Sequence, residues 1–425
     1  MKTVLILGAY GLIGAHVTRS LRDLGHNVIG LGRDADIAKR VLPGIGWIIR
    51  DLRNLQSAPA WGHILSGVDF VVNCAGALQD NSDDDLDAVH AKAIAAMVQA
   101  CEVRGCGVIQ ISAVGADADA KIAFLKTKAQ GDAAVQKSSG KWWIFKPGMV
   151  VAPTGYGGTA LVRMLAAVPG VQPIALPQAQ VQTVGVDDVA RAVARAISGE
   201  VPSGTIADLV EDEPQALANL ITAFRAWFGF PKARMTLRLP KPVAFIGAAV
   251  ADGLGYLGWR SPMRRTALKV LAQGVTGDAG QTRVALGRSA RTLQQNLVTY
   301  PARLEDRHTA RMMLLLPGVI KTLAGFWIIS GLVGIVQLDA AAQTLVQVGW
   351  PPVLAKISVG IWSCVDIALG VFICFRAYAA RAAWAMILVC LIYLVSATLF
   401  TPHMWIDPLG PLVKIFPALT LAFVA

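Results

Sequence analysis

The chain has 425 residues, 54% of them hydrophobic and only 16% charged, with a formal net charge of +11. This length allows two or three domains, and this apolar content excludes a protein that is soluble throughout, so part of the chain is expected to contact lipid. The six Cys form no C-x-x-C motif and no His lies at metal-ligand spacing, so we expect reduced thiols and no metal.

The first predicted element is a buried parallel strand over residues 2–8, which runs into a glycine-rich turn with the spacing G-x-x-G-x-x-G. Glycines in such a turn let backbone amides and the N-terminus of the next helix approach a pyrophosphate closely. We therefore predict a dinucleotide site; the alternative is a tight turn in a doubly wound fold that has lost its ligand. The predicted contacts in this turn are Gly8, Tyr10, Gly11, Leu12, Ile13 and Gly14.

Later strands are expected to carry polar residues at their carboxyl ends. Arg33 follows the second strand, where an NAD site usually has an acid, and Arg can meet a 2′-phosphate, so NADP(H) is preferred over NAD(H). Asp34 and Asp36 are either ribose ligands or residues of a solvated turn. Asp51 follows the third predicted strand, Asn73, Ala75 and Gly76 follow the fourth, and Ser112 ends the fifth.

These motifs resemble the short-chain dehydrogenase/reductases over about residues 1–230. They are most similar to the atypical and extended branch, in the group that includes the nucleotide-binding accessory subunit of respiratory complex I. The resemblance implies a Rossmann-like, doubly wound parallel sheet of the α/β class with a small substrate lobe. It also implies that Ser112 and Lys128 stand at the catalytic serine and lysine positions. The cofactor contacts that it implies are Asp51, Leu52, Asn73, Ala75, Gly76, Lys128 and Pro147.

Phe124 departs from the family pattern, because the family has a Tyr four residues before the catalytic lysine. That Tyr is the general acid, and Phe cannot donate a proton. Lys128 can still hold the cofactor ribose. Tyr156, in a glycine-rich loop, is either a substitute acid or a packing or substrate contact.

A basic block follows at residues 231–311, with fourteen Lys or Arg against four Asp or Glu in 232–311. The apolar run at 242–259 is broken by glycines and Asp252, which favours a segment in the membrane interface over a spanning helix. We expect the block to bind membrane lipid and not nucleic acid, since no recognition motif accompanies the charge. The side chains expected at headgroup level are Trp259, Arg260, Arg264 and Arg265.

Four apolar segments in 312–425 predict an all-α transmembrane four-helix bundle, with spans at about 312–338, 353–375, 383–400 and 409–425. The basic residues flank one side of these spans, which predicts a multi-pass protein of the bacterial inner (plasma) membrane with a cytoplasmic N-terminal domain. The motif PHMWIDPLGPLVKIFP resembles the DoxX-like family of small membrane domains.

Ionisable residues within the predicted spans are candidate functional groups. Lys321 and Asp366 are expected at similar depth, so we predict that they pair, either to hold the bundle together or for proton or substrate chemistry. Four residues near the outer face either snorkel to the interface or rim a small polar pocket: Lys356, Lys414, His403 and Asp407.

Three functions remain open from the sequence. The first is an NADP(H)-dependent oxidoreductase that acts on a lipophilic acceptor such as a quinone or isoprenoid, through Ser112 and Lys128. The second is a catalytically silent NAD(P)-bound scaffold or redox sensor of a membrane complex, which Phe124 supports. The third is a nucleotide-gated transporter, which rests only on the buried charges. A complex partner and a second copy of the chain are both open as partners.

Overall fold

The computed structural model describes residues 1–78, 80, 85–259, 261–408 and 410–425. Arg260, expected at the membrane interface, and Leu409, the first residue of the fourth predicted span, lie outside the described residues. The chain divides into two compact units. The first is Met1–Asp252 with Ser261–Ala310, and the second is Gly253–Arg260 with Arg311–Ala425.

The centre of the first unit is a seven-stranded sheet in which every neighbouring pair of strands is parallel. In chain order the strands of this unit are β1 (Thr3–Leu7), β2 (Asn27–Gly32), β3 (Gly46–Ile49), β4 (Phe70–Asn73), β5 (Gly107–Ile111), β6 (Trp142–Pro147), β7 (Met149–Val151), β8 (Val171–Ile174), β9 (Gln180–Val181), β10 (Thr183–Gly185), β11 (Thr205–Leu209), β12 (Gln215–Ala216) and β13 (Met235–Arg238). The sheet order is β11-β6-β5-β4-β1-β2-β3, and the other strands form two-stranded pairs.

The helices of this unit cover both faces of the sheet. In chain order they are α1 (Leu12–Asp23), α2 (Ala35–Val41), α3 (Ala93–Arg104), α4 (Ala123–Gln136), α5 (Gly157–Ala166), α6 (Val186–Ser198), α7 (Leu217–Trp227), α8 (Lys241–Tyr256), α9 (Arg265–Gln273), α10 (Ala279–Leu286) and α11 (Leu293–Thr299). One π-helical segment, Ala88–Lys92, leads directly into α3. The predicted Rossmann-like fold is thereby confirmed.

The sheet is a buried layer because its strands are continuously apolar. Val4, Leu5, Ile6 and Leu7 of β1 are all fully buried, with hydrophobic clusters above and below them. Strand order reverses on either side of β1, between β2 and β4, and ligands of such sheets bind in the crevice at the carboxyl ends of the strands there. The fold therefore places the candidate site at the ends of β1, β2, β4 and β5.

A third hydrophobic cluster holds the smaller lobe together. It joins α5, α7 and α11 through buried residues that include Phe224, Phe228 and Leu297. The Trp227 indole N–H donates to the carbonyl groups of Leu297 and Tyr300, at 2.9 and 2.8 Å. The apolar stripe of α7 is thus core.

Much of the basic block folds into the first unit, which differs from the domain boundary expected at residue 230. Leu286 is buried in one of the clusters that cover the sheet, and Leu293 and Leu297 are buried in the cluster of the smaller lobe. Their burial explains the difference, because a segment's net charge does not reveal which of its apolar residues reach a core. The membrane-surface role of the block remains a prediction.

Ion pairs tie the basic block to α6, and α6 to α1. Asp187 lies 3.7 Å from His16 Nδ1 and 3.3 Å from an Arg291 guanidinium nitrogen. The proximity of His16, and then of Tyr300 and Arg291, outweighs the effect of burial and lowers the Asp187 pKa to about 2. Asp188 is buried and also pairs with Arg291.

Helix α8 covers most of the apolar run that was predicted to lie in the membrane interface. Its Ala244 and Ala248 are buried against Leu268 of α9, whereas Val243 and Ile246 are exposed. The helix is too short to count among the candidate spans.

The second unit is helical. Three of its helices are long and apolar enough to cross a membrane, and the fourth predicted span contains a helix of only 10 residues. The helices are α12 (Leu304–Val336), which begins in the first unit, α13 (Leu338–Gln347), α14 (Pro352–Phe372), α15 (Arg376–Phe400) and α16 (Ile415–Val424).

Candidate functional site

The glycine-rich turn joins β1 to α1, and its glycines are required by close packing. A Cβ added at Gly8 would lie 2.9 Å from Ala75 Cα, and one at Gly14 would lie 2.3 Å from the Gly8 carbonyl oxygen. Gly8 also has a φ of +68°, which favours glycine. Gly11 is the N-cap of α1 and provides no side-chain cap. The first amides of α1 are therefore left for a ligand with acceptor oxygens, and this donor set fits a pyrophosphate.

Side chains at the ends of β2 and β3 form the part of the site expected to receive the adenosine. The Tyr10 hydroxyl accepts a hydrogen bond from the Arg33 backbone N–H at 3.2 Å, and its ring lies 6.0 Å from the Trp47 ring. Arg33 itself is exposed. Asp34, which the sequence left open, caps α2 by accepting a hydrogen bond from the Ile37 N–H.

Asp51 directly precedes a short 3₁₀ turn, Leu52–Asn54, and is held there by Arg53. Its carboxylate accepts from the Arg53 backbone N–H at 2.9 Å and from two guanidinium nitrogens at 3.0 and 2.7 Å. Burial opposes ionisation, but the hydrogen bonds and charge of Arg53, with the charge of Arg33, keep the Asp51 pKa below its usual range. The carboxylate therefore stays ionised beside two cations.

Lys128 on α4 is buried at the carboxyl ends of β4 and β5. Its ammonium donates to the carbonyl oxygens of Ile111, at 3.1 Å, and Ala75, at 3.3 Å. Burial lowers the Lys128 pKa, and the negative charge of Asp132 partly offsets this effect. Asn73, at the end of β4, accepts from the Ala75 N–H, and Gly76 lies close enough that an added Cβ would be 3.2 Å from the Lys128 ammonium.

The sequence resemblance aligns Phe124 with the general acid of the short-chain dehydrogenases, and the Phe124 ring packs edge-on against His90 at 5.8 Å. His90 Nε2 accepts from the Ala77 N–H at 3.1 Å, so Nδ1 carries the proton and donates to Thr127 Oγ1 at 3.0 Å. Burial, and then the Lys128 charge, lowers the His90 pKa to about 2. His90 is thus a neutral, fully partnered group and no substitute acid.

Ser112 follows β5 and donates from its hydroxyl to Asp132 Oδ2 at 2.6 Å, with both side chains buried. Lys146 on β6 lies 4.0 Å from the same carboxylate oxygen. Asp132 stands four residues after Lys128, so both project from one face of α4. The sequence analysis missed Asp132 and His90; the available signal was a charged or polar residue within an otherwise buried stretch.

The loop between β7 and α5 contains Tyr156, whose side chain is 62% exposed. Arg163 holds this loop, since its guanidinium donates to the Ala152 and Pro153 carbonyls at 2.7 and 2.8 Å. Pro147 ends β6, and its carbonyl accepts from the Val114 N–H. The catalytic role of Tyr156 remains a prediction.

The second unit contains a buried carboxylate, and its partners differ from the predicted one. Asp366 on α14 accepts from the Tyr393 hydroxyl at 3.1 Å and from the Ser330 hydroxyl at 3.4 Å. Lys321 is exposed, so the predicted Lys321–Asp366 pair was wrong. The prediction considered only depth along the helices, but two residues at equal depth on neighbouring helices can point in different directions around their helix axes.

Four residues near the outer face were predicted either to snorkel to the interface or to rim a small polar pocket. Lys356 forms an exposed ion pair with Asp339 at 2.5 Å. The grouping of Lys356 with His403, Asp407 and Lys414 remains a prediction.

Comparison with known proteins assigns both parts of the chain. Residues 8–200 match the NAD(P)H-binding family model, and residues 324–423 match that of the DoxX-like family. A comparison with curated protein sequences found no significant match.

Two solved structures illustrate the fold of the first unit. The NADPH-dependent quinone oxidoreductase QOR2 of Escherichia coli, complexed with NADPH, is 18% identical with a TM-score of 0.53, over 70% of this chain and 99% of that one. The enzyme WbmG of Bordetella bronchiseptica, in complex with NAD and UDP, is 12% identical with a TM-score of 0.55, over 73% and 96%. At these identities the likeness concerns the fold alone. The chain thus joins an NAD(P)-binding domain with the fold of the short-chain dehydrogenases to a C-terminal DoxX-like domain.

Proposed function

We propose that this protein is a membrane-anchored, NADP(H)-dependent oxidoreductase that reduces a lipophilic acceptor such as a quinone or an isoprenoid. The observation that carries the proposal is the buried Lys128 ammonium, held by the Ala75 and Ile111 carbonyls at the carboxyl ends of β4 and β5, beside Ser112. Burying an ammonium is costly unless it is hydrogen-bonded, so a purely structural residue at this position has little reason to be Lys.

The preference for NADP(H) is supported by the charges at the ends of β2 and β3. No acid follows β2 directly, since Arg33 is there and Asp34 is used as the cap of α2. Asp51 is paired with Arg53. The positive charge at this end of the site suits a 2′-phosphate.

The lipophilic nature of the acceptor is inferred from the second unit. Three apolar helices on the same chain keep the NAD(P)-binding domain tethered to a bilayer, where quinones and isoprenoids are dissolved. We place the membrane as the bacterial inner membrane and the N-terminal domain in the cytoplasm, where reduced nicotinamide is made. Lipid and either a complex partner or a second copy are the proposed partners.

Each residue has a defined task in this proposal. The α1 amides and the glycine turn bind the pyrophosphate, and Lys128 holds the nicotinamide ribose. Ser112 Oγ orients the oxygen of the acceptor. When bound, the reduced nicotinamide supplies a hydride, that is, one hydrogen with two electrons.

The alternative is a catalytically silent scaffold or redox sensor that keeps NAD(P) bound. A specific contact favours it: the Phe124 ring packs on His90 in place of a general acid. In that case the cofactor would bind tightly and stay reduced.

The test is NADPH oxidation by the detergent-purified full chain, with a short-chain quinone or with a water-soluble carbonyl acceptor. We expect wild type to oxidise NADPH with the quinone, Gly11→Asp to lose both binding and oxidation, and Phe124→Tyr to bind the cofactor as wild type does. Tight binding without oxidation by any acceptor would favour the scaffold instead.

A further inference from the structure

We propose that Asp132 and Ser112 form a proton relay that replaces the missing tyrosine. In this relay the Asp132 carboxyl passes a proton to Ser112 Oγ while that hydroxyl gives its own proton to the oxygen of the reduced acceptor. The inference rests on the proposed oxidoreductase function and identifies the source of its proton.

The geometry provides a connected path. Ser112 Oγ and Asp132 Oδ2 are 2.6 Å apart, which is the distance of a short hydrogen bond between oxygens. Ser112 is the donor in this bond when the carboxyl is ionised; when the carboxyl is protonated, Asp132 becomes the donor and the Ser112 hydroxyl hydrogen is available to the acceptor. Ser112 is 6% exposed and Asp132 is 2% exposed, so the pair is shielded from bulk water. Lys146 Nζ lies 4.0 Å from Asp132 Oδ2 on the other side, and its side chain is 20% exposed. The partly exposed Lys146 therefore marks the side from which solvent returns a proton to the buried carboxyl.

The surroundings of Asp132 favour the protonated carboxyl. Its second oxygen, Oδ1, is buried without a hydrogen-bond partner among the described residues. An ionised oxygen in that situation is costly, because no hydrogen bond from the described residues replaces those of the water it has lost.

The groups that face Asp132 act in both directions. Burial raises its pKa, and the opposing influences are Ser112, Lys146, Lys128 and the Gln110 amide. The net direction is upward, so the neutral acid that the relay needs is populated at higher pH than for an exposed carboxyl.

The relay supplies the proton that the reduction requires. Reduction of a quinone takes one hydride and one proton, and the proton comes from Ser112 Oγ–H as Asp132 reprotonates that oxygen. Asp132 is left ionised and recovers a proton from solvent on the side of Lys146. The sum is acceptor plus NAD(P)H plus H⁺, giving reduced acceptor plus NAD(P)⁺.

The first test measures the protonation state of the Asp132 carboxyl directly and needs no turnover. Infrared difference spectra across a pH titration should show the carbonyl stretch of a buried protonated carboxyl near neutral pH in wild type. This band should vanish in Asp132→Asn and remain in Asp119→Asn, a control with an exposed aspartate. If the wild-type band near neutral pH is unaffected by Asp132→Asn, Asp132 is ionised and the relay is overturned.

The second test reads the rate. Asp132→Asn should slow NADPH oxidation by about 10²-fold or more, the usual contribution of a positioned acid. NADPH affinity should not change, the limb of the pH profile assigned to Asp132 should disappear, and Asp132→Glu should recover part of the rate. If Asp132→Asn fails to bind NADPH and is therefore misfolded, Ser112→Ala tests the same path and should show the same loss of rate.

The outcomes separate the two proposals. An active wild type with an equally active Asp132→Asn of unchanged pH profile would overturn the relay alone. A wild type that oxidises no NADPH with any acceptor would overturn the oxidoreductase function, and the relay with it.

Discussion

Gly14→Ala should damage the cofactor site through a clash that can be read directly from the backbone. The new Cβ would lie 2.3 Å from the Gly8 carbonyl oxygen and 2.9 Å from Ala9 Cα, whereas ordinary contacts begin at 3.4 Å. Helix α1 and the turn must therefore separate by about 1 Å, and no flexible side chain can absorb the shift.

Overpacking typically lowers the free energy of unfolding by about 1–3 kcal/mol. The higher helix propensity of Ala offsets about 1 kcal/mol of this loss. We expect a net loss of about 1 kcal/mol, which corresponds to a lower unfolding midpoint by roughly 2–4 °C in a large domain. NADPH affinity should also fall, because the same shift moves the α1 amides away from the pyrophosphate.

Gly46→Ala is the matched control, since its Cβ would meet only Ile29 Cγ1 at 3.9 Å. The assays are thermal unfolding of the detergent-purified full chain and titration of NADPH by the fluorescence of the bound cofactor. If Gly14→Ala matched Gly46→Ala in both assays, the close packing of this turn would not be what the site depends on.

Three further predictions concern charges. Arg33→Ala should weaken NADPH binding by about 10-fold or more, the worth of a charge-assisted hydrogen bond, while leaving NADH binding little changed in the same titration. Asp187→Asn should lower the free energy of unfolding, measured with urea, by about 1 kcal/mol after solvent screening. The Asp187 pKa is about 2 in the folded protein against an ordinary 3.8, so the difference in stability between wild type and variant should disappear as the pH falls from about 3.8 to about 2. Tyr393→Phe should destabilise the membrane domain by about 1–3 kcal/mol in detergent unfolding, since it leaves an Asp366 oxygen without its hydrogen bond. Lys321→Met should leave the stability unchanged. Equal losses for the two variants would indicate that Lys321 does pair with Asp366.

The sequence was sufficient to predict the central architecture, because its signals are local. A continuous apolar strand, three spaced glycines and a helical pattern are contiguous, and each reports on a backbone requirement that the structure shows at Gly8 and Gly14. The apolar segments of the C-terminal quarter are likewise long enough to be recognised by composition alone.

The remaining features depend on contacts between distant segments. Ser112 and Asp132 are 20 residues apart and meet only because α4 packs across the end of β5. Leu286 enters the core of the first unit although its surroundings in sequence are basic. Depth along a helix predicted the Lys321–Asp366 pair, but the direction around the helix axis decides such a contact, and that direction is set by packing.

The most direct test of the central claim is a single turnover of bound NADPH. Purified protein loaded with one equivalent of NADPH is mixed with a short-chain quinone without oxygen, and cofactor oxidation is followed by absorbance, using cofactor with either hydrogen or deuterium at the transferred position. We expect the bound NADPH to be oxidised completely, and more slowly when deuterium is transferred, because hydride transfer to the acceptor is the reaction of this site. A cofactor that stays bound and reduced in the presence of quinone would contradict it.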